Sequence, residues 1–122
     1  MVAYSFKQRF VAPILSGAKQ QTIRAHRKRH ARQGELMQLY TGMRTKQCML
    51  IRRVVCEGVT PITIDLPGNC VTLGDETLRG WDKLDPLAWR DGFDGWLSMR
   101  GFWLENHPDT PIFTGVLIRW AP

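Results

Sequence analysis

The pattern of apolar residues predicts an α+β fold: a mostly antiparallel sheet of five or six short strands, partly closed into a small barrel, with a few flanking helices. Three observations predict it. Period-two, β-branched segments recur between Gln21 and Leu73; two helical patterns lie together after Asp85; and the chain opens on a strand-helix pair and closes on a strand. With 122 residues and an apolar share of 43%, one domain, residues 1–122, accounts for the whole sequence.

Taken in order, Ala3 to Lys7 reads as a short strand, and Arg9 to Ser16 as a short helix that Gly17 closes. Pro13 fits that helix only within its first turn. Gln21 to Ala25, "QTIRA", alternates as a strand, with Thr22 and Arg24 sharing a face and Ile23 pointing to the core. "HRKRHARQGE" has no apolar period and reads as an exposed loop. "LMQLY" and "CMLIRRVVCEGV" follow as strands around the turn "TGMRTKQ", then "PITI" and "NCVTL" as two more, broken by Pro67 and Gly68. "DPLAWRDGF" begins with an Asp cap and Pro at the first helical position. A second helix over "DGWLSMRGFWLENHP" puts Trp96, Met99 and Trp103 on one stripe, which is read as core packing. "FTGVLIRW" is the closing strand.

The charge is unevenly placed. The formal net charge is +6, but up to Arg53 there are 12 Lys or Arg against Glu35 alone, and from Val54 onward 5 against 10 acids. Such a split focuses a positive field on one part of the surface and suits phosphate or nucleic acid as partner, although charge kept only for solubility gives the same count. No stretch reaches the roughly 18 apolar residues of a membrane helix. Lys7 and Arg9 interrupt any signal-peptide core. A cytoplasmic protein without membrane contact is expected. Cys48, Cys56 and Cys70 lack C-x-x-C spacing and are read as reduced thiols.

Two stretches carry possible chemistry. His26 and His30 have the spacing of metal ligands on a helix face, but Arg27, Lys28, Arg29 and Arg32 would repel a cation, so no metal is assigned. That basic run is either a solvated loop or a phosphate-contacting one. "GAKQQTIR" gathers Lys19, Thr22 and Arg24 just past a helix end. A threonine hydroxyl needs a base to become a nucleophile, and a lysine kept neutral by burial and a nearby arginine can serve. On residues alone, a surface lysine beside a strand threonine explains the stretch as well.

"FKQRFVAPILSGAKQQTIR" resembles the opening of ASCH-domain proteins, with their G-x-K-x-x-T-x-R turn followed by a strand of the form GE-x-L-x-L-Y, here Gly34 to Tyr40. Within them it is most similar to the small single-domain branch that contains the bacterial N4-acetylcytidine amidohydrolases. The match spans roughly residues 4 to 41, a third of the chain, and "AWRDGF" resembles a further A-x-x-E-G-F segment. The resemblance implies a PUA-like barrel whose cavity takes a pyrimidine nucleoside or modified base, hydrolysed without cofactor by a Lys, Thr and acid set. Lys19 and Thr22 match that set; the acid falls on Asp91, where glutamate is expected, one carbon or about 1.5 Å shorter in reach. Arg24, Phe6 and Arg9 are the candidate substrate-binding residues, and Arg27, Lys28, Arg29 and Arg32 the candidate nucleic-acid contacts. The expected function is hydrolysis of the N4-acyl amide of a cytidine-like nucleoside, with an RNA-binding ASCH module or a metal-assisted ribonuclease as alternatives.

Overall fold

The computed structural model describes residues 2–122. Its elements are β1 (Val2–Phe6), a 3₁₀ turn (Gln8–Phe10), α1 (Val11–Ser16), β2 (Gln21–Ala25), β3 (Leu36–Thr41), β4 (Met49–Asp65), β5 (Cys70–Leu73), β6 (Glu76–Arg79), α2 (Trp81–Arg90), α3 (Trp96–Asn106) and β7 (Ile112–Trp120). The class is α+β, a mixed seven-strand sheet with three helices. Its path runs β1-β3-β4-β5-β6, and β7 joins β4 to β2. β1 and β3 are parallel, and the other pairs are antiparallel.

The sheet is not closed into a barrel, which corrects the expected partial closure. Among the described residues no ladder joins β1 to β2; instead Arg24 Nη2 donates to the Ser5 carbonyl at 2.7 Å across the gap. A side chain there takes the place of strand pairing, so the seam stays open for the cavity described below.

The 17-residue β4 replaces the two strands expected on either side of Pro61. In an antiparallel strand, N–H and C=O of one residue point the same way. The Pro61 carbonyl accepts Gly74 N–H at 2.9 Å where β5 has already turned away, so the missing proline N–H faces that turn and the ladder to β7 continues. β4 can therefore serve two sheet halves, pairing β3 with its first residues and β7 and β5 with its last. β6 went unread in the sequence, although Gly74-Asp75 between Leu73 and Glu76 is a hairpin signal.

The helices also differ from expectation. The first splits into the 3₁₀ turn and α1, with Pro13 in its first turn and Gly17 left-handed at its end. α2 begins four residues early, at Trp81, with Pro86 inside it. Asp85 caps the other helix instead: its Oδ1 accepts Trp96 N–H at 2.7 Å at the start of α3. The core lies between the sheet and these helices and includes Ile14, Met37, Leu39, Ile62, Ile64, Leu84, Leu87, Trp96, Met99 and Ile118. Among the described residues no helix is long and apolar enough to cross a membrane.

Candidate active site

Lys19 sits on a short connection pinned from three sides. Lys19 N–H donates to Pro13 of α1 (3.0 Å), Gln20 N–H to Arg90 at the end of α2 (2.8 Å), and the Gln20 carbonyl accepts Trp120 N–H from β7 (2.9 Å). The following strand is buried on both faces at its start, so Thr22 and Ile23 are each covered, and the expected division into a polar and a core face does not hold. Lys19, Gln21, Thr22 and Asp91 are all at least nine-tenths buried. None is a surface residue.

Lys19, Thr22 and Asp91 line one cavity of about 270 Å³, just below the usual range of small-ligand pockets, roughly 300 to 1,000 Å³, and Gln21 lies behind it. Its polar floor is Lys19, Thr22, Arg24 and Asp91, and Phe6, Phe10, Phe93, Phe102 and Trp103 supply flat apolar walls. The Lys19 Nζ lies 4.6 Å from the centroid of Phe10 and 5.7 Å from that of Phe6, and the Arg24 guanidinium 4.7 Å from that of Phe6.

The polar network is specific. Lys19 Nζ donates to the Asp91 carbonyl at 2.6 Å and lies 3.4 Å from Asp91 Oδ1. Gln21 Nε2 donates to that same Oδ1 and to the Leu87 carbonyl, both at 3.3 Å. Arg24 Nε donates to Thr22 Oγ1 at 2.9 Å. Burial holds Lys19 below its ordinary pKa against the opposing pull of Asp91, and burial raises Asp91 against the pull of Lys19. Both shifts favour uncharged forms, so a proton passing from Lys19 to Asp91 exchanges an ion pair for a neutral pair without changing the proton count. Arg24 is pushed down to about 10, chiefly by burial, and stays charged at neutral pH.

Gly92 is a structural condition for this arrangement. Its φ is +92°, and a Cβ there would come within 3.2 Å of Lys19 Cδ. Gly92→Ala is expected to cost about 1 to 2 kcal/mol of stability. Gly101→Ala, in α3 with nothing within 4 Å of its added carbon, should gain roughly 1 kcal/mol. Urea unfolding of the two variants checks the contrast; equal effects would remove the special role of position 92.

The other expected residues divide. Arg9 does not line the cavity; its guanidinium rests 5.0 to 5.2 Å from the ring centroids of Phe10, Phe93 and Phe102. Arg27, Lys28, Arg29 and Arg32 are exposed on the loop that leaves the rim at Ala25. Arg29 pairs with Glu35, and Arg27 packs 4.6 Å from the centroid of Tyr4 while bonding the Arg29 carbonyl. Both ring nitrogens of His30 are engaged, by Tyr4 Oη at 2.9 Å and the Ala25 carbonyl at 2.8 Å. Among the described residues no three His, Cys, Asp or Glu side chains gather into a possible metal site.

Sequence reasoning missed Gln21 and also His107, which lines the cavity with its ring stacked 4.7 Å from that of Trp103, and it assigned Trp103 to the core alone. Trp103 is both buried and a wall of the cavity. Gln21 lies inside the quoted "KQQTIR", but nothing in a strand pattern says that its amide meets a helix end sixty-odd residues away. No protein-family model, curated protein or solved structure matches the chain.

Proposed function

We propose that this protein is a cofactor-independent amidohydrolase that removes the acyl group from N4 of a cytidine-like nucleoside, on a PUA-like ASCH scaffold. The observation that carries the reading is the meeting of Lys19, Thr22 and Asp91 in one aromatic-walled cavity, across 72 residues of sequence. The cavity volume admits a base of one ring against the aromatic lining, and in the proposed pose the acyl carbon lies at the polar floor.

In the proposed reaction, neutral Lys19 takes the hydroxyl proton as Thr22 Oγ1 bonds the acyl carbon. The C–N4 bond breaks and Lys19 returns that proton to the departing amine. Water then attacks the threonine ester, its proton passing through Lys19 to Oγ1 as the ester bond breaks and the carboxylic acid leaves. Arg24 stabilises negative charge on Oγ1 before attack and directs the hydroxyl hydrogen away from its own N–H. Asp91 positions the amine and shares its proton. Lys19 Nζ donates here to the Asp91 carbonyl and Thr22 Oγ1 accepts from Arg24, so catalysis requires the amine to turn from that carbonyl to Oγ1.

The direct test is incubation of the purified protein with N4-acetylcytidine and detection of cytidine by chromatography; no cytidine beyond a protein-free control would sink the reading. Asp91→Asn is expected to cost about 10²- to 10³-fold in kcat, because asparagine can accept from Lys19 and Gln21 but cannot take a proton. Unchanged kcat would leave Asp91 a structural end of α2.

A second reading, an RNA-binding module, is favoured by the exposed Lys28 and Arg32 on the loop that follows the cavity-lining Ala25. Neutralising both should weaken RNA binding and flatten its salt dependence, with little change in turnover of an uncharged nucleoside.

A further inference from the structure

We propose that the outer face of β1, β3 and the first residues of β4 is a platform for single-stranded nucleic acid, continuous with the cavity rim. It rests on the reading above only in taking the cavity as the place where a base is held.

The strand registers define the face. Ser5 pairs with Tyr40 and Ala3 with Gln38, Gln38 with Arg53, and Leu36 with Val55. These side chains share one side of the sheet, because their neighbours Tyr4, Phe6, Met37, Leu39 and Val54 turn inward and are buried. Ser5 is also a cavity-lining residue and the acceptor of Arg24. From the rim, the next residue across the sheet is therefore Tyr40. Opposite Leu39 and Tyr40 the register shifts, with Ile51 as the extra residue of β4, so β4 bends away beside Tyr40. The Tyr40 hydroxyl is tied to Gln38 Oε1 at 3.3 Å, holding the half-buried ring over the sheet.

Charge selects the occupant. From His26 to Arg53 there are eight Lys or Arg against Glu35, and that acid is engaged by Arg29. Arg53 is exposed on the platform itself, and Lys28, Arg32, Arg44 and Lys46 are exposed on the loops before and after β3. An aromatic ring on an open sheet face, flanked by exposed cations, matches a stacked base and its phosphates. A protein partner would face the same unneutralised charge, and a second copy of the chain would bring like charge to like.

The test uses fluorescence anisotropy with a labelled pyrimidine-rich single-stranded RNA and a duplex of the same length. Tyr40→Ala and Arg53→Glu should each weaken single-strand binding about tenfold, and Arg53→Glu should lower the salt slope by about 0.7 per lost phosphate contact. Arg79→Glu, an exposed charge reversal on β6, serves as the control and should change little. Tyr40→Phe, which keeps the ring and loses only its tie to Gln38, should bind more tightly than Tyr40→Ala, and thermal unfolding verifies that each variant is folded. Equal affinity for the duplex, equal loss in Arg79→Glu, or wild-type binding by Tyr40→Ala and Arg53→Glu would each overturn the platform. So would concentration-dependent dimers by sedimentation that Arg53→Glu abolishes. Binding is read without turnover, so a protein that grips RNA through this face but releases no cytidine overturns the hydrolase reading alone.

Discussion

Lys19→Met is expected to lower turnover of N4-acetylcytidine by about 10³- to 10⁴-fold. Methionine keeps the volume and the contact with Phe10 but has no proton to move. The buried setting adds an effect on stability that a surface lysine would not show. Asp91 is left without its cation, a loss of up to about 3 to 5 kcal/mol if the carboxylate stayed charged, and less because it protonates instead. The pH dependence follows from the two directions of shift. The folded state raises Asp91, so stability falls as pH climbs from the ordinary 3.8 through the raised value. It lowers Lys19, so stability rises between that lowered value and the ordinary 10.5. The variant should lose the alkaline gain and extend the acidic loss to higher pH, because the carboxyl no longer has an opposing charge. Urea midpoints across about pH 4 to 10 measure both changes. A parallel, merely offset profile would mean that the two groups do not titrate as a buried pair.

The fold was legible where one face of an element dominates its pattern. β2, β3, β5 and β7 were read with nearly the observed bounds, because β-branched alternation and flanking Gly or Pro are local signals. Closure was not legible, since it depends on whether β1 and β2 pair, and their sequences carry no mark of the Arg24 bond to Ser5 that takes the ladder's place. The start of α2 was missed because Asp85-Pro86 has the form of a helix start, while its actual function is to cap α3 through Asp85. Only the three-dimensional path brings that carboxylate to Trp96.

The candidate site was legible in its polar floor and not in its walls. Lys19, Thr22 and Arg24 lie close in sequence, and a family resemblance marks the three together. Asp91 was reached through "AWRDGF", and the structure places it against Lys19. The aromatic walls come from four separate segments, and an aromatic stripe reads the same whether it packs a core or faces a cavity. Trp103 does both. Buried polar residues were the weakest part of the reading: a lysine on a short connection and a glutamine at the start of β2 look solvated until α1, α2 and β7 are seen to enclose them.

Thr22→Val should abolish hydrolysis, with a loss of about 10⁴-fold, and should remove any covalent intermediate. Valine matches the shape of threonine, so the strand and its burial are retained. What it loses is the oxygen that accepts from Arg24 Nε; the guanidinium N–H is then unpaired, at a cost of about 1 to 3 kcal/mol. Thr22→Ser separates the two consequences, because serine keeps the oxygen and the hydrogen bond and gives up only a buried methyl group. It should retain activity within about tenfold and cost roughly 1 kcal/mol. Rapid acid quench followed by intact-protein mass spectrometry should find the acyl adduct on the wild type and on Thr22→Ser, and none on Thr22→Val. Combined with Lys19→Met, Thr22→Val should add little further loss, since a base without its nucleophile has nothing to activate. Near-normal turnover by Thr22→Val, with cytidine still formed and no adduct on any variant, would assign the attack to a water activated by Lys19 and leave Thr22 as the acceptor that orients Arg24.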